Sequence, residues 1–444
     1  MILAQSEKAN NTQLARRLGL FDATMIVMGG IIGSGIFMNP SSVAREVHTP
    51  FLVLSAWALG GLVALIAGFI WAELASVKPD VGGQYAYLRE AFHPSVAFLY
   101  GWVLLLVIQT GGMAAVAVTF SRYFVELTSL PISYSIVAAA ILAGLTLINC
   151  LGVRAGSTVQ SILMVLKILA ILLLVVCGLL FTGARSSTNG LLDQPASFGL
   201  LTAFGAAMVP VLFSYGGWQT ATFVAGEMKE PEKNLPRGLI LGVGGVVVLY
   251  LVANVVYLRV LGVSELAVSN APASEVMRMA WGEFGARAIA TGIAVSTLGF
   301  LSQSMLTAPR VYFAMAQDGL FFKSVGAINK RTKAPVAAIA LQGALAILIA
   351  LVGSYDRIVR YVVSIDFIFF GLTACCVFIF RRRGESSATT RVPGHPISTL
   401  LFIIVCWLVV INTIFHDPRN TLIGVGILLA GIPAYLFWAR RSGV

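Results

Sequence analysis

Apolar residues in this chain come in long blocks, not in the short alternations of strands or the narrow stripes of surface helices. Each block is about as long as a helix must be to cross a ~30 Å hydrocarbon core. The blocks predict twelve spans, over residues 20–44, 51–77, 95–127, 133–151, 159–182, 200–228, 239–260, 283–316, 336–352, 358–380, 397–415 and 422–439. The expected fold class is therefore an all-α integral membrane protein with 12 transmembrane helices and no soluble domain of useful size. The first apolar block starts only at Leu20 and runs past signal-peptide length, so it reads as a span and not as a cleaved leader.

Two of these blocks are interrupted near their middles. Met28-Gly29-Gly30-Ile31-Ile32-Gly33-Ser34-Gly35-Ile36-Phe37 places four glycines and a serine inside the first span. An interior glycine weakens a helix by up to ~1 kcal/mol relative to alanine, so the helix is expected to unwind there and restart near Ile36. The amides of Gly33, Ser34 and Gly35 would then lie free at a positive helix end, which suits a carboxylate. The sixth span repeats the pattern with Phe213-Ser214-Tyr215-Gly216-Gly217-Trp218-Gln219, where freed carbonyls suit an ammonium group. Polar backbone at membrane depth is tolerated only where it lines a cavity or is buried in protein. Glycines that merely let helices pack closely are the alternative for either segment alone. Two broken helices five spans apart favour a transporter site at the interface of inverted repeats.

Composition agrees with the lipid setting, with 58% hydrophobic and 11% charged residues among 444. The formal net charge of +11 is a topology signal. Of the 30 lysines and arginines, 20 lie on the side that holds both termini, nine lie on the other, and Lys167 lies within a span. The bias places both termini in the cytoplasm. The basic residues are spread over seven segments, which argues against a nucleic-acid partner and for contact with anionic lipid. Five cysteines, Cys150, Cys177, Cys375, Cys376 and Cys406, fall in or beside spans without metal-ligand spacing, and the four histidines sit in or next to connections. No metal, no cofactor and no buried imidazole relay is expected.

Ionisable residues inside the spans are few. Lys167 lies about two helical turns into the fifth, where insertion of a central lysine costs roughly 2.5 to 3.5 kcal/mol and so marks a functional candidate, with snorkelling to the interface as the alternative. Beside the first-span break it could hold unwound backbone as a bound sodium would, or carry a proton. Asp366 lies well inside the tenth apolar block and is equally open to a transport role or to hydrogen bonding with a neighbouring helix. Glu73, Glu227 and Asp318 lie close to span ends and are expected to cap helices or pair with loop arginines. In the eighth span Ser296, Thr297, Ser302 and Gln303 offer hydroxyl and amide groups, commonly used between helices.

Gly30-Ile31-Ile32-Gly33-Ser34-Gly35-Ile36-Phe37 resembles the first-span signature of the amino acid/polyamine/organocation permeases, particularly the L-type amino acid transporter branch and its bacterial relatives. Gly82-Gly83-Gln84-Tyr85-Ala86-Tyr87, Arg89-Glu90-Ala91-Phe92, Tyr215-Gly216-Gly217-Trp218, the loop Glu227-Met228-Lys229-Glu230-Pro231 and Ala316-Gln317-Asp318-Gly319 resemble other stretches of that family. The resemblance implies a LeuT-type 5+5 inverted repeat with discontinuous helices 1 and 6. It divides the chain into an amino-terminal cytoplasmic segment (1–19), a transport core (20–383) and two peripheral spans with a short tail (384–444). It also implies that the substrate carboxylate meets the Gly33, Ser34 and Gly35 backbone, and that the ammonium meets carbonyls near Gly30, Ile31, Phe213, Ser214 and Gly216. Phe213 would be the aromatic lid, and Trp218 and Ser296 complete the expected substrate contacts. Lys167 would stand where sodium-coupled relatives hold an ion, which implies sodium independence. Gln109, in the stretch Gln109-Thr110-Gly111-Gly112-Met113, is a further candidate for shaping the pocket.

Animal L-type transporters link to a heavy subunit through a cysteine in the external loop after span three, and residues 128–133 contain none, so no disulfide-linked partner is expected. Neither break has an acidic residue beside it in the chain, which argues against arginine or polyamine substrates. The expectation is a sodium-independent exchanger of small neutral L-amino acids in the bacterial inner membrane. Proton-coupled symport is the open alternative, since Lys167 serves both. A membrane enzyme would need convergent catalytic carboxylates, histidines or a metal cluster, and a channel would need symmetry or charged rings. The sequence offers neither.

Overall fold

A computed structural model describes residues 18–80, 82–151, 153–181, 183, 198–329, 331–332, 334–352, 355–385, 389–416 and 418–442. Most of the expected amino-terminal segment, residues 1–17, lies outside them. The described secondary structure is helical apart from one isolated bridge between Leu18 and Met228.

Every predicted span is matched by helix. The first is two helices, α1 (Leu20–Ile31) and α2 (Gly35–Val47), bent by 41°. There follow α3 (Pro50–Val77), the short α4 (Gln84–Ala91), and a third span made of α5 (Pro94–Val103), a π-turn (Leu104–Ile108) and α6 (Gln109–Thr128). Next come α7 (Tyr134–Cys150), α8 (Val153–Leu180), α9 (Phe198–Tyr215), α10 (Thr220–Phe223) and α11 (Pro231–Val268). The remainder is α12 (Pro272–Thr307), α13 (Pro309–Gln317), α14 (Val336–Val352), α15 (Tyr355–Arg382), α16 (Ile397–His416) and α17 (Pro418–Ser442).

Helices α3, α5, α11, α12 and α13 each begin on a proline, whose fixed φ fits the first turn and whose missing N–H has no acceptor there anyway. Two of the longest helices are broken within their length. Gly262 (φ 72°) divides α11, and Trp281-Gly282 (φ 64° at the glycine) divides α12. Both breaks fall at the span ends expected at residues 260 and 283. Among the described residues eight helices are long and apolar enough to cross a membrane, or nine counting the bent first pair, while α7 and α14 are shorter apolar helices.

Packing brings non-sequential helices together. α1 and α2 lie against α11, and α2 lies against α9; α3 packs on α11, α6 on α12, α7 on α14, and α8 on α12. One end of the bundle is tied by ion pairs. Glu73 receives both Arg381 (2.6 and 2.7 Å) and the amide of Val392 (2.7 Å), Asp318 receives Arg89 (2.7 Å) and the Tyr85 hydroxyl (2.8 Å), and Glu227 receives Arg310 (3.0 Å). All three carboxylates expected to pair with arginines do so, but their partners sit on helices, not in loops.

The Glu227–Arg310 pair is the most enclosed of these, with side chains 13% and 2% exposed, and Arg310 also donates to the Leu306 carbonyl. Removing one partner of such a pair strands the other charge at a cost of about 3 kcal/mol. Glu227→Ala should therefore lower the apparent Tm of purified protein by several degrees. An unchanged Tm would show that the pair carries no net stability.

Candidate functional site

The two interrupted spans cross at their breaks. In α1 the helix stops at Ile31, Ile32 turns extended (ψ 93°) with its amide on the Met28 carbonyl (2.8 Å), and α2 restarts at Gly35 behind Ser34. The first amides of α2 therefore have no acceptor within the helix. In the sixth span α9 ends at Tyr215, and Gly217 takes φ 116°, a conformation that glycine adopts without strain. Its carbonyl receives the Thr220 amide (3.2 Å) and hydroxyl (2.8 Å), and its amide donates to Gln219 Oε1 (3.1 Å).

The approach is close enough to explain the glycines. A Cβ on Gly30 would lie 2.5 Å from the Gly217 carbonyl oxygen, and one on Gly35 would lie 2.8 Å from Ser214 Cα. Asn39 of α2 fixes the crossing by donating to the Pro210 carbonyl (2.9 Å) and to Ser214 Oγ (2.8 Å).

A cavity of about 740 Å³, counting its open mouth, lies against both breaks. Of the residues expected there, Gly30, Ile31, Gly33, Ser34, Gly35, Phe213, Ser214 and Gly216 line it, as do both further candidates, Gln109 and Asp366. Helix-end amides on one wall and non-helical backbone on the other give the cavity a donor-bearing side and an acceptor-bearing side.

Two expected contacts do not reach it. The Trp218 ring is buried, with centroids 5.9 Å from Trp71 and 5.1 Å from Phe370, so it backs the wall that Phe370 faces. Ser296 is fully buried one helical turn from Phe300, and it is the Phe300 ring, in contact range of Gly33, that forms that wall. No acid neighbours either break along the chain, yet α15 brings Asp366 to the same cavity.

Lys167 has not snorkelled. It is fully buried, does not line the cavity, and donates to the carbonyls of Gly29 (3.4 Å) and Ile32 at the C-terminal end of α1. A cation suits the negative end of a helix. Neighbouring carbonyls are served from other helices: Tyr250 donates to Ile31 (3.2 Å), Tyr257 to Ile36 (3.2 Å), and Gln303 to Ile26 (2.6 Å). Gln303 thus takes the interhelical role its residue type suggests. Tyr250, Tyr257 and Asn39 were not anticipated; the seven-residue spacing of the two tyrosines on one helix was the only available signal. The π-turn before Gln109 was equally invisible. It adds a residue to the third span where Ile108 and Gln109 line the cavity, a use common at functional sites.

Comparison with known proteins finds the amino acid permease family matched over residues 18–437. The chain is 32% identical over 441 residues to the serine/threonine exchanger SteT of Bacillus subtilis, covering 97% of this chain and 98% of that protein. It is 29% identical to the human b(0,+)-type amino acid transporter 1, covering 98% and 90% of the two chains. To the human large neutral amino acids transporter small subunit 2 it is 27% identical, covering 96% and 82%.

Proposed function

The chain belongs to the amino acid permease family, and from that premise we propose that it is a sodium-independent exchanger of small neutral L-amino acids working by alternating access. It is a multi-pass membrane transporter of amino acids and not an enzyme. The observation that carries the finer reading is the crossing of the two broken spans on one cavity, with Lys167 seated on the end of the first half-helix. The substrate carboxylate meets the amides of Gly33, Ser34 and Gly35, and its ammonium meets the backbone of Gly30, Ile31, Phe213 and Gly216. Lys167 holds α1 with a covalently attached charge, so no ion has to bind there before the substrate.

Helices α3 with α11, α6 with α12, α7 with α14, and the first break with the sixth are pairs that a 5+5 repeat would relate by its two-fold axis, which supports a LeuT-type core within a twelve-span protein. The reading places both termini in the cytoplasm of a bacterial inner membrane, without a disulfide-linked subunit. Serine/threonine exchange by the Bacillus relative supports small substrates.

Labelled amino acids offered to sodium-free proteoliposomes test the reading, with and without unlabelled amino acid inside and with and without an inward proton gradient. Uptake should require internal substrate and ignore the gradient. Proton-driven accumulation into empty vesicles would replace exchange by symport. Absence of transport for every amino acid by folded protein would remove the assignment.

A further inference from the structure

The last span carries a polar feature away from the breaks. One face of its helix α17 lies against the protein, with Tyr435 and Ala439 each 8% exposed, and the opposite face turns outward. On that outward face Pro433, Leu436, Phe437, Arg440 and Arg441 line a cleft of about 950 Å³, counting its open side. Leu436 is 50% exposed and Phe437 59%, and both arginines are exposed. Among the described residues neither arginine is held in an ion pair or hydrogen bond.

The cleft is graded along the helix. At 1.5 Å of rise per residue Arg440 stands roughly 10 Å beyond Pro433, so cations occupy one end and apolar side chains the other. Trp438 marks the depth: its ring centroid lies 4.9 Å from that of Phe322 and 5.4 Å from that of Phe437, and aromatic rings gather where hydrocarbon meets headgroups. Phe322 belongs to the connection after Asp318, which puts the cleft at the end of the bundle tied by the ion pairs, and exposed Lys323 follows it there. A soluble anion would use only the arginines of such a cleft, and an uncharged lipid only its apolar end. A molecule with an anionic head on an acyl chain uses both, and guanidinium groups hold phosphate through paired hydrogen bonds.

We propose that this cleft binds one anionic phospholipid of the surrounding bilayer, with its phosphate on Arg440 and Arg441 and an acyl chain along Phe437, Leu436 and Pro433. The lipid fastens the least buried of the long apolar helices to the rest of the bundle. The inference uses only the membrane setting, so it stands or falls separately from the substrate and the coupling.

Thermal unfolding of the full chain in a neutral detergent tests it, titrated with phosphatidylglycerol, with phosphatidylcholine of the same acyl chains, or with inorganic phosphate. Phosphatidylglycerol should raise the apparent Tm in a saturable way, and the other two should not. In Arg440→Gln/Arg441→Gln the half-saturating concentration should rise about tenfold or more, since a basic group near the membrane surface is worth about fivefold in binding anionic lipid. Arg331→Gln/Arg382→Gln, which removes the same charge from the same end of the bundle outside the cleft, should stay within about threefold. Equal losses in the two double variants overturn the proposal, because diffuse charge then explains the binding. Equal stabilisation of wild type by both lipids, or by inorganic phosphate alone, overturns it as well. A lipid-independent dimer that is lost in Arg440→Gln/Arg441→Gln would make the face a contact between copies and refute the lipid. If the cleft variant does not fold, the two lipids compared on wild type decide, and indifference to headgroup charge refutes the assignment.

Discussion

Lys167→Ala should reduce amino acid exchange by about 100-fold or more while the protein remains folded and extractable. The ammonium is fully buried and serves the carbonyls of Gly29 and Ile32, where α1 gives way to unwound backbone. Without it those carbonyls face an apolar interior with no donor, at about 1 to 3 kcal/mol for each unsatisfied group, and the negative end of α1 loses its counter-charge. Removal also relieves the desolvation of a buried cation, so global stability should change much less than activity. The unwound segment itself should lose its position, and a displacement of about 1 Å in groups that hold a reacting or bound molecule is enough for a hundredfold loss. Lys167→Met separates volume from charge: it fills the space and should be nearly as inactive as alanine. Counterflow in sodium-free vesicles, with thermal stability measured on the same samples, provides the check. Near-normal exchange by either variant would reduce Lys167 to a packing residue.

Gly30→Ala and Gly35→Ala should each lower exchange by about 30-fold or more, whereas Gly112→Ala, in the same cavity, should stay within about threefold for small substrates. The difference is where each new methyl would go. On Gly30 it would lie 2.5 Å from the Gly217 carbonyl oxygen and 2.6 Å from Thr220 Oγ1, and on Gly35 it would lie 2.6 Å from Ser214 Oγ and 2.8 Å from Ser214 Cα. Backbone must move to admit either methyl, and overpacking of that kind costs about 1 to 3 kcal/mol. At Gly112 nothing lies within 4 Å of the added carbon. The comparison isolates contact between the broken helices from mere loss of cavity volume, and kinetics of the three variants with one small substrate measures it. Equal behaviour of Gly30→Ala and Gly112→Ala would show that the crossing tolerates separation and that glycine there serves only chain flexibility.

The two interrupted spans each sacrifice internal hydrogen bonding where they cross. The lost bonds are made up from outside. Tyr250, Tyr257, Gln303 and Lys167 reach the first span from three other helices, and Asn39 reaches from the first span to the Pro210 carbonyl of the sixth. These donors do for the breaks what water would do at a surface, and they hold the cavity's polar backbone without closing it.

The sequence by itself determined the helical segments and the two breaks, because both are written in local chemistry. A run of apolar side chains needs lipid or core, and a cluster of glycines weakens a helix wherever it stands. That Gly33, Ser34 and Gly35 stand at a helix end follows from those local rules, whereas Phe213 and Gly216 are expected at the cavity from the resemblance to the permease family. What only the tertiary structure decided is which faces meet. Asp366 is 150 residues beyond the sixth-span break yet shares its cavity, while Trp218, next to that break in the chain, turns behind Phe370. Ser296 and Phe300 share a helix face, and only packing makes the ring and not the hydroxyl the wall beside Gly33. The reason is physical: backbone propensity and hydrophobic runs act over a few residues, whereas a side chain's neighbours across a bundle depend on helix rotation and crossing, which the packing of the whole chain sets.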